Sequence, residues 1–224
     1  GSVIITGLAI GTYTNFTVTN LSGCTSAVLA GPVVLVNPAP PTVPVAGSNS
    51  PLCDGAELDL TATDATGGVT YSWAGPAGFS STLQYPLISP VHLNNAGTYT
   101  VTASRLGCVS APATVLVVVH PIPAITKVTA TDPTTCQGTN GTMTLEGLLA
   151  GVSYTVQYSF NGNPVSVVFV ADGSGKVVVT GLAQGEYTNI NVTSFTCPSN
   201  TVGPVTLTDP NPPPAPKLSS NSPL

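Results

Sequence analysis

The stretch GTYTNFTVTNLSGC at residues 11–24 returns near the other end of the chain as GEYTNINVTSFTC, residues 185–197. A looser version, GTYTVTASRLGC, occupies residues 97–108. Each copy begins Gly-x-Tyr-Thr and runs through alternating apolar and polar residues to a cysteine. Alternation with a period of two is typical of a half-buried β-strand. One strand-and-turn block is therefore used three times, which indicates a repeat array.

The full period of the repeat is about 172 residues, as self-similarity along the chain shows. Three blocks return in the same order at offsets of 172 to 174: ITGLAIGTYTN (5–15) as VTGLAQGEYTN (179–189), NPAPP (37–41) as DPNPP (209–213), and SNSPL (48–52) as SNSPL (220–224). One period contains two kinds of module. We therefore predict four segments: the C-terminal part of one kind of module at 1–38, a complete module of the other kind at 40–120, a complete module of the first kind at 121–211, and a linker with the start of the next module at 212–224.

Proline-rich stretches separate these segments: NPAPPTVP (37–44), HPIP (120–123) and DPNPPPAP (209–216). Proline fixes φ and favours extended backbone, so such stretches act as short, semi-rigid spacers. We therefore expect tandem modules that are joined end to end.

Alternating strands and frequent turns predict an all-β chain of antiparallel β-sandwiches of the immunoglobulin-like type. Leu58, Leu60 and Ala62 alternate with polar residues, and no segment of helical length has a 3.6-residue period. Trp73 shares a strand face with Val69, which predicts a core aromatic; with Tyr71 and Phe79 it could instead form a sugar-stacking platform. The repeated tyrosines fit the tyrosine corner, in which the ring is buried and the hydroxyl bonds to nearby backbone: they are Tyr13, Tyr99 and Tyr187.

The facing of the apolar residues after the repeated tyrosine differs between the two kinds of module. After Tyr99 they fall two and four residues later, whereas after Tyr187 and Tyr13 they fall three and five residues later. One extra residue reverses the facing of a strand. We therefore predict a β-bulge near Asn189 and near Asn15.

Composition argues against several classes of function. The chain has four Lys and Arg residues and 6% charged residues, too few for a nucleic-acid surface, and no apolar run long enough for membrane insertion. His92 and His120 stand apart from any catalytic pattern, so we expect no enzyme, no cofactor and no metal site. Two lesser alternatives are calcium at the loop residues Asp54, Asp64, Asp132 and Asp172, and an isopeptide bond from Lys127 or Lys176.

Residues 52–119, with LCDGAELDLTA, YSWAGPAGF and AGTYTV, resemble the immunoglobulin-like repeats of large secreted surface proteins of Bacteroidota. The other kind of module, with CQGTNGTMTLEG and LAQGEYTNINV, resembles the SprB-type repeats of gliding-motility adhesins and other type IX secretion cargo, but it departs from that pattern at SFTC (194–197). The resemblance implies an extracellular stalk on a bacterial cell surface. Its partners are expected to be neighbouring repeats of the same chain, and surface polysaccharide or other adhesin chains.

Five cysteines favour an oxidising, extracellular setting. Each complete module has one cysteine early and one late, so we expect the structural disulfides Cys53–Cys108 and Cys136–Cys197, with Cys24 unpaired because its partner lies upstream. Cys53 and Cys108 belong at opposite ends of an ordinary immunoglobulin topology, however, and a disulfide needs Cα atoms within about 7 Å. Pairing of Cys53 with Cys197 between modules, or free thiols, are the alternatives.

The leading hypothesis is a segment of a repetitive extracellular adhesin or surface fibre that acts as an extended stalk in cell-surface adhesion or gliding motility. The alternatives are a polysaccharide-binding module of a secreted protein or hydrolase, and the subunit of a self-assembling filament.

Overall fold

The structure, a computed structural model, describes residues 4–64 and 66–217. Over those residues it contains twenty β-strands and two three-residue 3-10 helices, at Pro76–Gly78 and Leu93–Asn95. This confirms the all-β prediction. The strands up to residue 120 are β1 (Gly11–Tyr13), β2 (Val33–Leu35), β3 (Val45–Ser48), β4 (Leu52–Cys53), β5 (Leu58–Thr63), β6 (Thr70–Ala74), β7 (Ser80–Ser81), β8 (Leu87–Ile88), β9 (Gly97–Arg105), β10 (Cys108–Val109), β11 (Ala113–Val117) and β12 (Val119–His120). After residue 120 they are β13 (Lys127–Thr131), β14 (Gly141–Glu146), β15 (Ser153–Phe160), β16 (Asn163–Val170), β17 (Lys176–Leu182), β18 (Gly185–Ser194), β19 (Cys197–Pro198) and β20 (Val205–Leu207).

The chain forms two compact units. The described part of unit one comprises residues 4–47, 60–64, 66–86 and 99–115, and that of unit two comprises residues 48–59, 87–98 and 116–217. The module boundaries near residues 40, 121 and 211 stay a prediction, because the division into units cuts through the predicted module at 40–120.

Unit two contains an antiparallel sandwich built from β13 to β20. One sheet has the order β13-β14-β17, and the other has the order β16-β15-β18-β19 with β20 also paired to β18. This strand order is that of an immunoglobulin-like sandwich. Side chains from both sheets form one core, because the alternating residues of each strand point inward; its largest fully buried members are Tyr154, Tyr187, Met143, Leu145, Ile190 and Leu207.

The strands between residues 45 and 117 have a similar order. One sheet runs β3-β5-β8, and the other runs β10-β9-β6-β7 with β11 also paired to β9. Strand β5 has the predicted alternation, with three buried residues and three exposed ones. The buried side chains that belong to unit one include Leu60, Ala62, Trp73, Tyr99, Val101 and Ala103.

The predicted bulge is present at Asn189. Along β15 the paired residues step from Gln157 to Ser159, while their partners on β18 step from Asn191 to Thr188, so β18 contains one extra residue. Asn189 has a φ of 52°, in the left-handed region that asparagine tolerates better than most residues. Asn15 has the corresponding φ of 61°, but the β1–β2 pairing ends at Tyr13, so no ladder passes through Asn15.

Residues 4–38 repeat the sequence of the last strands of the sandwich without reproducing their burial. Strands β1 and β2 form a three-residue antiparallel pair within unit one. Val18 is 62% exposed, whereas its equivalent, Val192, is fully buried. The difference follows from the neighbouring strands, because Val192 packs against residues of β13 to β17.

Candidate functional site

A disulfide joins Cys53 in β4 to Cys197 in β19, with the two Cα atoms 5.7 Å apart and 144 residues between them in sequence. The expected pairs Cys53–Cys108 and Cys136–Cys197 are therefore wrong, and the alternative pairing between successive predicted modules is present. Cys24, Cys108 and Cys136 are free thiols. The bond lies entirely within unit two.

The backbone around Cys53 explains this pairing. Strand β4 runs parallel to β12, with Cys53 opposite His120, and the backbone N–H of Asp54 donates to the His120 carbonyl at 2.9 Å. Cys53 is thereby held beside the linker HPIP (120–123). The expected pairs followed from the position of Cys53 before the second large strand, and strands of two residues such as β4 and β12 carry no sequence pattern that predicts their parallel pairing.

The residues around Cys197 contact the same linker. The Phe195 ring stacks on the His120 ring at 4.2 Å between centroids, with an angle of 4° between the planes. The Asn200 side chain accepts a hydrogen bond from the Ile125 N–H at 2.9 Å and donates one to the Ile125 carbonyl at 3.1 Å. Residues 120–125 are therefore fixed by an aromatic stack, two hydrogen bonds and a neighbouring covalent bond.

A cavity of ≈ 180 Å³ lies beside this linker, with mostly apolar walls. Its walls are Pro121, Ile122, Pro123, Ala124, Gly147, Leu148, Leu149, Val152, Tyr154, Ser194 and Phe195. Such a lining, to which the linker itself contributes, offers packing and little polar chemistry, and it lacks the convergent polar groups of an active site.

Two of the three repeated tyrosines make the backbone contact that is typical of a tyrosine corner. The Tyr187 hydroxyl donates to the Ala183 carbonyl at 2.9 Å, and the Tyr13 hydroxyl donates to the Ala9 carbonyl at 2.7 Å. Tyr99 is fully buried and meets the Phe79 ring edge-on at 5.4 Å. Burial, together with the neighbouring Tyr158, raises the pKa of Tyr187 above its ordinary value of 10.0.

Trp73 does not form an exposed platform. Its side chain is 1% exposed, and its indole N–H donates to the Leu83 carbonyl at 3.1 Å. A sugar ring stacks on an exposed aromatic face, so the polysaccharide-binding alternative loses its central residue.

The other candidate residues serve local structure. The Nδ1 atom of His92 lies 2.9 Å from an Asp54 carboxylate oxygen, and Lys176 forms an ion pair with Glu146 at 3.1 Å. The Asp172 carboxylate accepts hydrogen bonds from the backbone N–H groups of Lys176 and Ser174, which lower its pKa.

The remaining calcium candidates bind backbone and hydroxyl groups. Asp64 accepts hydrogen bonds from Thr42 and Thr66, and Asp132 accepts two from Thr208. Across residues 4–64 and 66–217 no three His, Cys, Asp or Glu side chains are grouped so that they could hold a metal ion. No helix within that part of the chain is long and apolar enough to cross a membrane.

No protein-family model and no curated protein matches the chain. Among solved structures it is similar to a chain from the complex of the mouse coronavirus receptor-binding domain with its murine receptor: 14% identity, 74% of this chain and 99% of that one covered, TM-score 0.49. Murine CEACAM1b is 14% identical, with 74% of this chain and 99% of that one covered and a TM-score of 0.48. The chicken CNTN1 FN1–FN3 domains are 13% identical, with 86% of this chain and 74% of that one covered and a TM-score of 0.42. These likenesses are distant, and the fold assignment rests on the strand order described above.

Proposed function

We propose that this chain is a segment of a repetitive extracellular adhesin or surface fibre, in which serial β-modules form an extended stalk. The observation that carries the proposal is the Cys53–Cys197 disulfide, which covalently links two successive predicted modules across a proline-containing linker. Disulfides persist in oxidising, extracellular settings, which supports a location outside the cytoplasm. The resemblance to surface repeats of Bacteroidota supports a bacterial cell surface and a role in adhesion or gliding.

The disulfide has a direct mechanical consequence. When the chain is pulled from its ends, the force passes from Cys53 through the sulfur–sulfur bond to Cys197, and the 144-residue loop between them is bypassed. That loop contains β5 to β18. The disulfide thus carries the load and shields the strands inside the loop from it, a property suited to a stalk that holds a binding tip away from a cell.

Single-molecule stretching of the 224-residue chain, pulled from its two ends, tests the stalk. Because a chain extends by at most about 3.5 Å per residue, we expect reduction of the disulfide to release roughly 500 Å of additional extension. The variant Cys24→Ser, which removes an unbonded cysteine, should behave like the parent chain. Compliant extension at forces below those that unfold the sheets contradicts the stalk.

A second measurement tests the location. Antibodies raised against the chain should label intact source cells, as expected of a protein displayed on the surface. Labelling that requires permeabilised cells contradicts the proposed location and leaves the mechanical result unaffected.

The self-assembling filament remains a second candidate because of strand β16. This eight-residue strand, NPVSVVFV, lies at the end of its sheet order, and among the described strands it pairs with β15 alone. It contains no charged residue, and Val168 is 64% exposed. An uncharged edge strand can pair with another chain. Sedimentation at rising concentration should then show oligomers that Val168→Lys removes, whereas a monomer at all concentrations rules the filament out.

A further inference from the structure

The three late cysteines occupy the same local structure. Each is followed two residues later by a serine whose hydroxyl accepts a hydrogen bond from a backbone N–H seven or eight residues earlier and donates one to the carbonyl of the residue after the serine. After Cys24 the serine is Ser26, which accepts from Val18 and donates to Ala27. After Cys108 it is Ser110, which accepts from Ala103 and donates to Ala111. After Cys197 it is Ser199, which accepts from Val192 and donates to Asn200. Both kinds of module therefore place their late cysteine in one way.

The late cysteine of each complete module lies at the linker that precedes the module. The thiol of Cys108 donates to the Pro38 carbonyl at 3.1 Å, within the linker NPAPP (37–41). Cys197 lies two residues after Phe195, which stacks on His120 at the linker before its own module.

The early cysteine of each complete module lies at the linker that follows the module. The residue after Cys53 donates its backbone N–H to His120, and the residue after Cys136, Gln137, donates its backbone N–H to Asp209 at 2.7 Å. The sulfur of Cys136 is 3.9 Å from the carbonyl oxygen of Pro210, the repeat equivalent of Pro38. At the linker at 120–123, where both cysteines are present, they are bonded.

We propose that Cys108 and Cys136 are the two halves of a second inter-module disulfide. At each linker equivalent to residues 37–41 or 209–213, the Cys136 position of the preceding module bonds the Cys108 position of the following one. The free thiols of Cys108 and Cys136 thus each bond a cysteine of a neighbouring module. Cys24 is the repeat equivalent of Cys197, so it bonds the residue equivalent to Cys53 in the same way. The inference rests on the proposed function only in requiring further modules at those linkers.

The proposal changes what the fibre can do. The Cys53–Cys197 loop contains Cys136, so the second loop begins inside the first, and successive loops overlap along the array. With overlapping loops, every residue of the array lies inside at least one disulfide loop. If a Cys53–Cys197 bond breaks, its loop still cannot extend fully, because residues 136–197 remain inside the second disulfide loop.

Formation of the bond needs a disulfide oxidant, such as oxidised glutathione. The Cys136 thiolate attacks the glutathione disulfide and releases one glutathione thiolate, and the Cys108 thiolate then attacks the mixed disulfide and releases the second. The two protein thiols lose two protons and two electrons in total, and two reduced glutathione molecules gain them.

The test uses a tandem chain in which residues 38–224 of a second copy follow Asp209 of the first, so that the equivalent linkers coincide. Cys24→Ser and Cys108→Ser in the first copy, with Cys136→Ser in the second, leave one candidate pair besides the two Cys53–Cys197 bonds. After oxidation with glutathione we expect no free thiol in the denatured chain, and a Cys136–Cys108 peptide by mass spectrometry.

If both cysteines stay free or carry glutathione while the Cys53–Cys197 peptide is intact in both copies, the proposal is overturned, since the intact peptides show that the chain has folded. As a matched control, Cys136→Ser in the first copy should leave one cysteine that is free or carries glutathione. Small-angle X-ray scattering of the same chain separates the two proposals. An elongated chain without the Cys136–Cys108 bond overturns only the disulfide, whereas a compact chain with that bond overturns only the stalk.

Discussion

Tyr187 shows how one side chain can fix the start of a strand. Its ring packs between Phe160 and Tyr158, with ring centroids 4.8 and 5.6 Å away, while its hydroxyl bonds the Ala183 carbonyl. The variant Tyr187→Phe retains the packing and removes the hydrogen bond, so we expect a loss of about 1 kcal/mol in the free energy of unfolding. Urea unfolding measures this loss. Tyr85→Phe, at an exposed tyrosine, is the control and should leave the midpoint unchanged.

The same tyrosine predicts a dependence of stability on pH. Burial raises the pKa of Tyr187 in the folded chain above the ordinary value of 10.0. Between those two values the folded state holds the phenolic proton and the unfolded state releases it, so stability is fully present below pH 10 and falls as the pH rises beyond it. Tyr99, Tyr71 and Tyr158 have raised pKa values for the same reason. In the variant Tyr187→Phe the free energy of unfolding should fall less steeply as the pH rises above 10. An unchanged slope of that free energy against pH contradicts a raised pKa at Tyr187.

The backbone conformation of Asn189 leads to a second prediction for stability. Its φ of 52° lies in the left-handed region, where a Cβ atom costs roughly 1–2 kcal/mol unless the residue is asparagine, aspartate or glycine. Asn189→Ala should therefore lower the free energy of unfolding by about 1 kcal/mol, whereas Asn189→Gly should be close to neutral. If the two variants lose the same free energy of unfolding, the backbone conformation is not the reason why asparagine is favoured at this position.

At the scale of single elements, alternation predicts a strand well where one face of the strand is buried, as in β5. Strand β5 and the bulge in β18 follow from the spacing of apolar residues alone. The disulfide could not be predicted in the same way. It depends on the parallel pairing of β4 with β12, and these two-residue strands are too short to show a period. Local patterns therefore predict which face is buried, while the position of Cys53 depends on its pairing with His120, 67 positions away along the chain.

The turn before β17 offers a further prediction at the element scale. Gly175 has a φ of 72°, and a Cβ atom there would lie 2.1 Å from the Leu148 carbonyl oxygen. The Leu148 N–H also donates to the Gly175 carbonyl at 3.0 Å, so the two backbones cannot move apart without losing a hydrogen bond. Gly175→Ala should cost about 2 kcal/mol or more of unfolding free energy. Gly173→Ala, in the same turn with open space around its Cα, should be neutral or slightly stabilising.

At the scale of the whole molecule, residues 4–38 and 178–211 show that one sequence pattern gives different burial in different surroundings. Val18 and Val192 occupy equivalent positions, yet only Val192 has the strands of a complete sandwich around it. Burial of the apolar face of this pattern therefore depends on the neighbouring strands of a complete sandwich. This is also why the sequence predicted a repeat more securely than it predicted the function of the array.

The disulfide carries the last prediction because it closes the longest loop in the described chain. Removing a cross-link between residues separated by 144 positions costs about 5 kcal/mol in the chain-entropy model. The variant Cys53→Ser/Cys197→Ser should accordingly unfold at a markedly lower urea concentration, and earlier than the matched variant Cys24→Ser/Cys136→Ser, which removes two unbonded thiols. The loss should match that caused by chemical reduction of the parent chain, since both open the same loop. If the two double variants unfold at the same concentration, residues 53–197 retain their structure without the bond, and its role is confined to resisting force.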